Sequence, residues 1–359
     1  MRLDRSAIER VDRENMLKLL MEFPDQCRDA YRLGLSVELP RGFREARCVV
    51  ITGMGGSAIG GDLIRCALRE AAAVPIIVNR HYRLPSFVDE KTLVVGSSYS
   101  GNTEETLEAF DEALKRGAMC MAITSGGELA EMADRAEVPL IKIPQGYPPR
   151  AALGYTSIPV LTALVRLGFA PNFDLTGQLE EALKVLEEMA EELNPDVEDN
   201  PAKEIALKLH GKLPIIYASQ DLEAVAIRWK GQMSENSKSL AYAGILPEMN
   251  HNEIEGWRHP EGLLKSLHIV MIRDPEDHER VRMRMEITKG IVRGHADGVT
   301  EVYPRGRGEL AKLLSLIYLG DFVSLYLAAL NGEDPTPVER IGVLKKKLAE
   351  GGKWPKSLG

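Results

Sequence analysis

The chain has 359 residues, 44% hydrophobic and 27% charged, with 45 Lys and Arg against 53 Asp and Glu for a formal net charge of −8. That length is long for one core and comfortable for two, and the composition is that of a globular protein. The acidic balance excludes the broad basic face on which nucleic-acid affinity depends; Lys345-Lys346-Lys347 is too short to reverse it and reads as one face of a terminal helix.

The first residues, MRLDRSAIER, lack the apolar core of a secretory signal and the acid-poor make-up of a transit peptide, so the expected location is cytoplasmic. Residues 1–40 form an expected helical extension, centred on Val11 to Phe23. Apolar runs bounded by turn residues then alternate with helical patterns. Strands are expected at Ala46–Thr52, Val74–Asn79, Thr92–Ser97, Ala118–Thr124 and Val138–Ile143, with helices near Ser57–Glu70, Thr103–Arg116 and Glu128–Ala136. Continuous apolar character, without alternation, marks strands covered on both faces, and hence a doubly wound α/β domain with a mainly parallel sheet over 41–170.

Residues 171–200 turn acidic and helical and end in NPDVEDNP, a linker by its prolines and turn formers. A second α/β domain is expected over 201–359. Its strands fall at Leu213–Ser219, Ser266–Arg273 and Gly298–Tyr303, and its helices near Asp221–Glu235, Pro275–Arg293 and Gly308–Asn331. The apolar stretch Leu313–Leu330 is interrupted by Asp321 and carries Ser315, Tyr318 and Ser324, which suits a buried helix and not a membrane span. Cys27, Cys48, Cys66 and Cys120 form no CxxC pair and are expected as free, reduced thiols.

Two strand-to-helix junctions carry chemistry. In ITGMGGSAIGGD (51–62), glycines allow backbone N–H groups to approach an anion at a helix N-terminus. Gly53, Gly55 and Ala58 also fit a dinucleotide fingerprint, but the next strand ends in Asn79-Arg80 and not in an acid for a ribose. Ser57 lacks the following glycine of a nucleophile elbow, since Ile59 stands there. A plain glycine turn is the remaining alternative. In SSYSGNTEET (98–107), Ser98, Ser100 and Thr103 gather where a strand hands over to a helix whose first turn holds Glu104 and Glu105. One hydroxyl would suffice for a cap, so the set points to a phosphate monoester held without metal or lysine.

SSYSGNTEET resembles the sugar-phosphate loop of sugar isomerase (SIS) domains. The ordered set GMGGSAIGGD, SYSGNTEET, PPRAALGY, NPAKEIA, WKGQMSENSK, EMNHNEIEGW and DPTPVERIGVLKKKL resembles the bifunctional phosphoglucose/phosphomannose isomerases of archaea and some bacteria, from about residue 45 to about residue 348. The resemblance implies two SIS-type domains and reversible conversion of glucose 6-phosphate or mannose 6-phosphate to fructose 6-phosphate through a cis-enediol, with no cofactor. Phosphate binding would fall to Gly55, Gly56, Ser57, Ser98, Ser100 and Thr103.

Glu235 would be the base that shuttles the proton, against the plain reading of a surface carboxylate. Arg150 would stabilise the enediolate; Pro148 and Pro149 stiffen the chain before it, and a cation at a helix start opposes the dipole unless something else requires it. His251 would assist ring opening and would reach the partner subunit's site, which implies a homodimer. Lys345 would join it, with Lys346 and Lys347 as rivals, and Thr336 would approach C1–C2. A metal held by His251, Glu253 and His259 has no known spacing to support it. The alternatives are a non-catalytic sugar-phosphate sensor, which would not need Glu235, Arg150 and His251 together, and an SIS isomerase of another sugar phosphate.

Overall fold

A computed structural model describes residues 3–351; residues 1–2 and 352–359, the outer ends of the expected extension and second domain, lie outside it. The chain opens with α1 (Arg5–Glu9), α2 (Met16–Met21) and α3 (Phe23–Ser36). The expected helical extension around Val11 to Phe23 is here a series of three helices. The Asp12 carboxylate accepts the N–H groups of Met16 (2.7 Å) and Leu17 (2.8 Å) and so starts α2 afresh. Pro24, which has no N–H to offer, stands in the first turn of α3, where none is needed.

Next come β1 (Cys48–Thr52), α4 (Gly55–Ala67), β2 (Ile76–Asn79), β3 (Thr92–Ser97), α5 (Glu104–Lys115), β4 (Met119–Thr124), α6 (Gly127–Arg135) and β5 (Leu140–Lys142). Their sheet has the order β2-β1-β3-β4-β5 and is parallel throughout. Alternate side chains enter opposite layers: Val49, Ile51, Leu93 and Val95 join one apolar cluster, Val50 and Val94 the other. Burial on both faces is why these strands read as unbroken apolar runs. β5 is shorter than the expected Val138–Ile143. Glu137 takes a left-handed backbone (φ 53°) and Val138 N–H bonds back to Ala133 O (3.0 Å), so the chain is still leaving α6 there.

A 3₁₀ turn at Pro149–Ala151 leads into α7 (Leu153–Leu167), followed by α8 (Leu175–Glu192) and α9 (Pro201–Leu209). The expected elements omit α7, whose buried, nearly all-round apolar surface hides the helical period. They also omit α9, begun by Asn200, whose side-chain oxygen accepts from Ala202 N–H (3.0 Å).

The second half contributes β6 (Leu213–Ser219), α10 (Glu223–Glu235), β7 (Tyr242–Leu246), α11 (Glu261–Leu264), β8 (Leu267–Ile272), α12 (Glu279–Val292), β9 (Gly298–Val302), α13 (Glu309–Asn331) and α14 (Glu339–Ala349). Its parallel sheet has the order β7-β6-β8-β9. β7 was not expected: Gly244 interrupts its apolar run, and a β-carbon there would sit 2.6 Å from the Tyr217 ring. α12 starts later than Pro275 because Asp277 N–H closes a turn onto Asp274 O and His278 caps the helix through Arg280 N–H (3.1 Å).

α13 is long and apolar enough to cross a membrane, yet it is the buried axis around which α2, α8, α9 and α10 pack. All four cysteines are free thiols, and burial pushes that of Cys120 up to about 12. Helices also join the two sheets. α4 packs on α10, and Arg65 near the end of α4 pairs with Glu223 at the start of α10 (2.5 Å), so the two run antiparallel. From that tie, about 15 Å of α4 leads back to Gly55 and about 18 Å of α10 leads on to Glu235. Antiparallel packing therefore delivers the glycine turn and the carboxylate to the same end.

Candidate active site

The hydroxyl-rich turn after β3 is built by its own side chains. Ser98 Oγ lies 2.9 Å from Thr103 Oγ1 and accepts Gly101 N–H (3.1 Å). Thr103 precedes α5 as its cap residue, but its hydroxyl faces Ser98 and not the helix amides. Ser57, in the first turn of α4, accepts Tyr99 N–H (3.2 Å) and so ties the two glycine and serine turns together. Tyr99 is fastened at its far end, donating to Pro144 O (3.0 Å) and accepting Tyr147 N–H (2.8 Å). Ser57 and Ser98 are buried, Thr103 is half-buried and Ser100 is exposed, with Ser100 Oγ accepting Asn102 N–H (3.3 Å).

Two glycines make the arrangement possible. Gly101 has φ 71°, and a β-carbon there would lie 1.7 Å from Gly126 O. At Gly56 a β-carbon would lie 2.9 Å from Pro149 O, so only glycine lets the turn carrying Arg150 approach α4. The N-termini of α4 and α5 thus adjoin at the carboxyl edge of the sheet, where hydroxyls and first-turn amides offer an arrangement suited to an anion.

Beside Gly55 and Gly56 opens a cleft of about 220 Å³, closed on the other side by the α10 residues Arg228, Gln232 and Glu235 and by Arg150. Larger hollows beside β5 (about 410 Å³) and β2 (about 560 Å³) contain no buried charged side chain. In the cleft, Arg150 is 4% exposed. Its Nε donates to Asn236 Oδ1 (2.5 Å), its Nη2 to the carbonyls of Pro335 (2.5 Å) and Thr336 (2.8 Å), and its Nη1 stands 3.7 Å from Glu235 Oε2. Burial pulls its pKa below the usual arginine value, Glu235 opposes that, and the guanidinium remains charged. Glu235 stays half-buried, one side toward the cleft.

The backbone of Arg150 is held as well. Arg228 donates to Arg150 O (2.9 Å), and Gln26 of α3 donates to Ala151 O (2.9 Å) while accepting Gly154 N–H (2.8 Å). The N-terminal extension thus braces the turn from behind. Thr336 Oγ1, one residue from Pro335, is buried without a hydrogen-bond partner among the described residues.

Of the residues singled out in the sequence, Gly55, Gly56, Arg150 and Glu235 line the cleft; the serine turn adjoins it through the Tyr99–Ser57 hydrogen bond, and Thr336 through its carbonyl on Arg150. His251 and Lys345 do not join them. His251 is exposed in a 3₁₀ turn after β7, and Lys345 is exposed on α14, which has no buried residue; neither lines the cleft. Among the described residues, no group of three or more His, Cys, Asp or Glu side chains is placed to hold a metal ion.

The sequence reading missed Arg80, Arg228, Lys230, Gln232 and Asn236. Arg228, Gln232 and Asn236 follow one another at four-residue steps, on one face of α10 and its C-cap. The signal for Arg228 and Gln232 was Asp321, a lone acid in an apolar run, which had to find a cation. Arg80, paired with the buried Asp62, adds positive charge at the rim.

Comparison with known proteins adds to this geometry. Residues 42–141 match the SIS domain model, and residues 198–348 match the bacterial phospho-glucose isomerase C-terminal SIS domain. A bifunctional phosphoglucose/phosphomannose isomerase of Caldicellulosiruptor bescii is 49% identical over 93% of this chain and 99% of its own length. A protein of the same description from Aquifex aeolicus is 41% identical over 84% of this chain and 90% of its own. Among solved structures, a hypothetical protein of Thermus thermophilus superposes with a TM-score of 0.71 at 18% identity, covering 96% of this chain and 93% of that one, and so shares the fold.

Proposed function

The chain belongs to the bifunctional phosphoglucose/phosphomannose isomerase family, and we propose that its cleft interconverts glucose 6-phosphate or mannose 6-phosphate with fructose 6-phosphate through a cis-enediolate. The phosphate is held by the hydroxyls of Ser57, Ser98, Ser100 and Thr103 and the amides of Gly55 and Gly56, where two helix N-termini supply partial positive charge. The open-chain sugar extends from there toward α10. Glu235 takes the proton from C2 of the aldose; the electron pair forms the C1–C2 double bond and the charge moves to O1. Arg150 neutralises that oxyanion. A proton passes from O2 to O1, and Glu235 returns its proton to C1 to give the ketose. Rotation about C2–C3 presents either face of C2 to the same carboxylate, so one base serves both epimers.

The observation that carries this reading is the 3.7 Å approach of Glu235 Oε2 to the buried Arg150 guanidinium beside Gly55 and Gly56. A base and an oxyanion partner stand together next to an anion site. Thr336, with its unpartnered buried hydroxyl, is a further contact for the C1–C2 region. The cleft lies between domains 41–170 and 201–359. Ring opening falls to His251, supplied by a second copy in a homodimer, and to Lys345. The exposure of both, away from their own cleft, supports that division of work.

The test is a coupled assay on both 6-phosphates with a chelator present. Wild type should turn over both, and Glu235→Gln should lose about 10²- to 10⁴-fold in kcat on each while a competitive sugar-phosphate inhibitor still binds. Substantial turnover by the variant would remove Glu235 as the base. Loss of wild-type activity with chelator would remove the metal-free reading.

A further inference from the structure

The SENSK segment that ends α10 contains a lysine that neither phosphate binding nor proton transfer uses. Lys238 has φ 56°, a left-handed backbone that a residue with a β-carbon seldom adopts. Its ammonium is half-buried, donating to Glu235 O (2.6 Å) and reaching Pro335 O (3.4 Å), 97 residues further along the chain. Burial first, and then Arg150, push its pKa below the ordinary lysine value, with Glu333, Asp334 and Glu235 opposing. Backbone, desolvation and a like charge all disfavour a lysine here.

A cation near the last carbonyls of a helix has a plain explanation as a C-terminal cap. That explanation accounts for the contact to Glu235 O and not for the one to Pro335 O. The Pro335 carbonyl is also where Arg150 Nη2 donates (2.5 Å), and the next residue carries the unpartnered Thr336 hydroxyl. One ammonium therefore joins the residue bearing the carboxylate to the segment that receives the arginine. Strain tolerated at a functional site is commonly maintained for such placement.

We propose that Lys238 is a positioning residue, which clips the Glu235 turn to Pro335–Thr336 and so sets the separation of Glu235, Arg150 and the Thr336 hydroxyl. This rests on the reading of Glu235 as the proton-shuttling base. Without the clip, the substrate phosphate binds as before while the base sits loosely over C1 and C2.

Glycine at this position tests the idea, because it adopts the left-handed backbone freely but has no ammonium. Lys238→Gly should show a Tm at or above that of wild type and a KM for fructose 6-phosphate within about twofold. Its kcat should fall roughly 10- to 100-fold, the scale of a misplaced reacting group. Lys238→Arg, which keeps a cation of similar reach, should recover most of kcat. Wild-type kcat in Lys238→Gly, or a loss of kcat matched by a fall in Tm, overturns the proposal. Glu235→Gln, assayed in parallel, separates the two readings. If it remains active, the base assignment fails whatever Lys238 does; if it is inactive while Lys238→Gly is not, only the clip is lost.

Discussion

Asp321 lies in the middle of the most apolar helix of the chain, and its burial is compensated by three hydrogen bonds. Arg228 Nε and Nη2 donate at 3.0 and 2.6 Å and Gln232 Nε2 at 2.9 Å. Burial pushes its carboxyl pKa up, and the Arg228 charge opposes that shift. Removing one partner of such a pair leaves an uncompensated charge in the core, whereas replacing both with apolar groups does not. Arg228→Met should therefore lose about 3 to 5 kcal/mol of stability in urea unfolding, and Arg228→Met with Asp321→Leu should recover most of it. A double variant no more stable than the single one would show that the two charges are not one energetic unit. Even when stable, the double variant should remain slow, since it lacks the donor to Arg150 O.

At the scale of elements, the site is made by how a strand becomes a helix. The β3–α5 turn closes on itself through Ser98 and Thr103 and rests on the β4–α6 turn, where Gly101 and Gly126 touch backbone to backbone. Gly101 and Gly117, which follows α5, share nearly the same φ, 71° and 72°, but nothing lies within 4 Å of a β-carbon at Gly117. This pair separates conformation from packing. Gly117→Ala should cost about 1 kcal/mol through the left-handed backbone alone and leave KM unchanged. Gly101→Ala, which must displace the Gly126 carbonyl, should also raise KM for both sugar phosphates by about tenfold, the effect of one or two lost phosphate hydrogen bonds. Equal KM values in the two variants would mean that the turn is not where the phosphate binds.

At the scale of the whole molecule, the cleft depends on segments far apart in the chain. The N-terminal extension reaches it through Gln26 and is itself tied to the central helix by Tyr318, which donates to Leu20 O (2.8 Å). The proposed division of labour between protomers places further demands on assembly. α14 presents Ile341, Leu344 and Leu348 to the outside, 40%, 56% and 47% exposed, a stripe at helical spacing that the described residues of one protomer do not cover. If His251 acts in the neighbouring site, Glu235→Gln and His251→Ala enzymes, each nearly inactive, should regain turnover when unfolded together and refolded. A mixed dimer then holds one site with both groups intact. Refolded mixtures no more active than their parents would place His251 in its own protomer's site or outside catalysis.

Much of this was legible in the sequence because it depends on local rules. Doubly buried strands must be apolar throughout, so β1, β3, β4, β6 and β8 stood out. The turn after β3 holds its hydroxyls within one short stretch, so Ser98, Ser100 and Thr103, the proposed phosphate contacts, could be named from the sequence. β7, with its glycine, and α7, apolar on nearly every side, lack the periodicity by which such elements are read. What only the tertiary structure decided is which distant side chains meet. Arg150 and Glu235 are 85 positions apart and become neighbours because α4 and α10 pack antiparallel, while Arg228, Gln26 and Lys238 acquire meaning only from the partners they face. Hydrogen bonding and charge pairing act over a few ångströms in space and are indifferent to separation along the chain, so no local pattern records them.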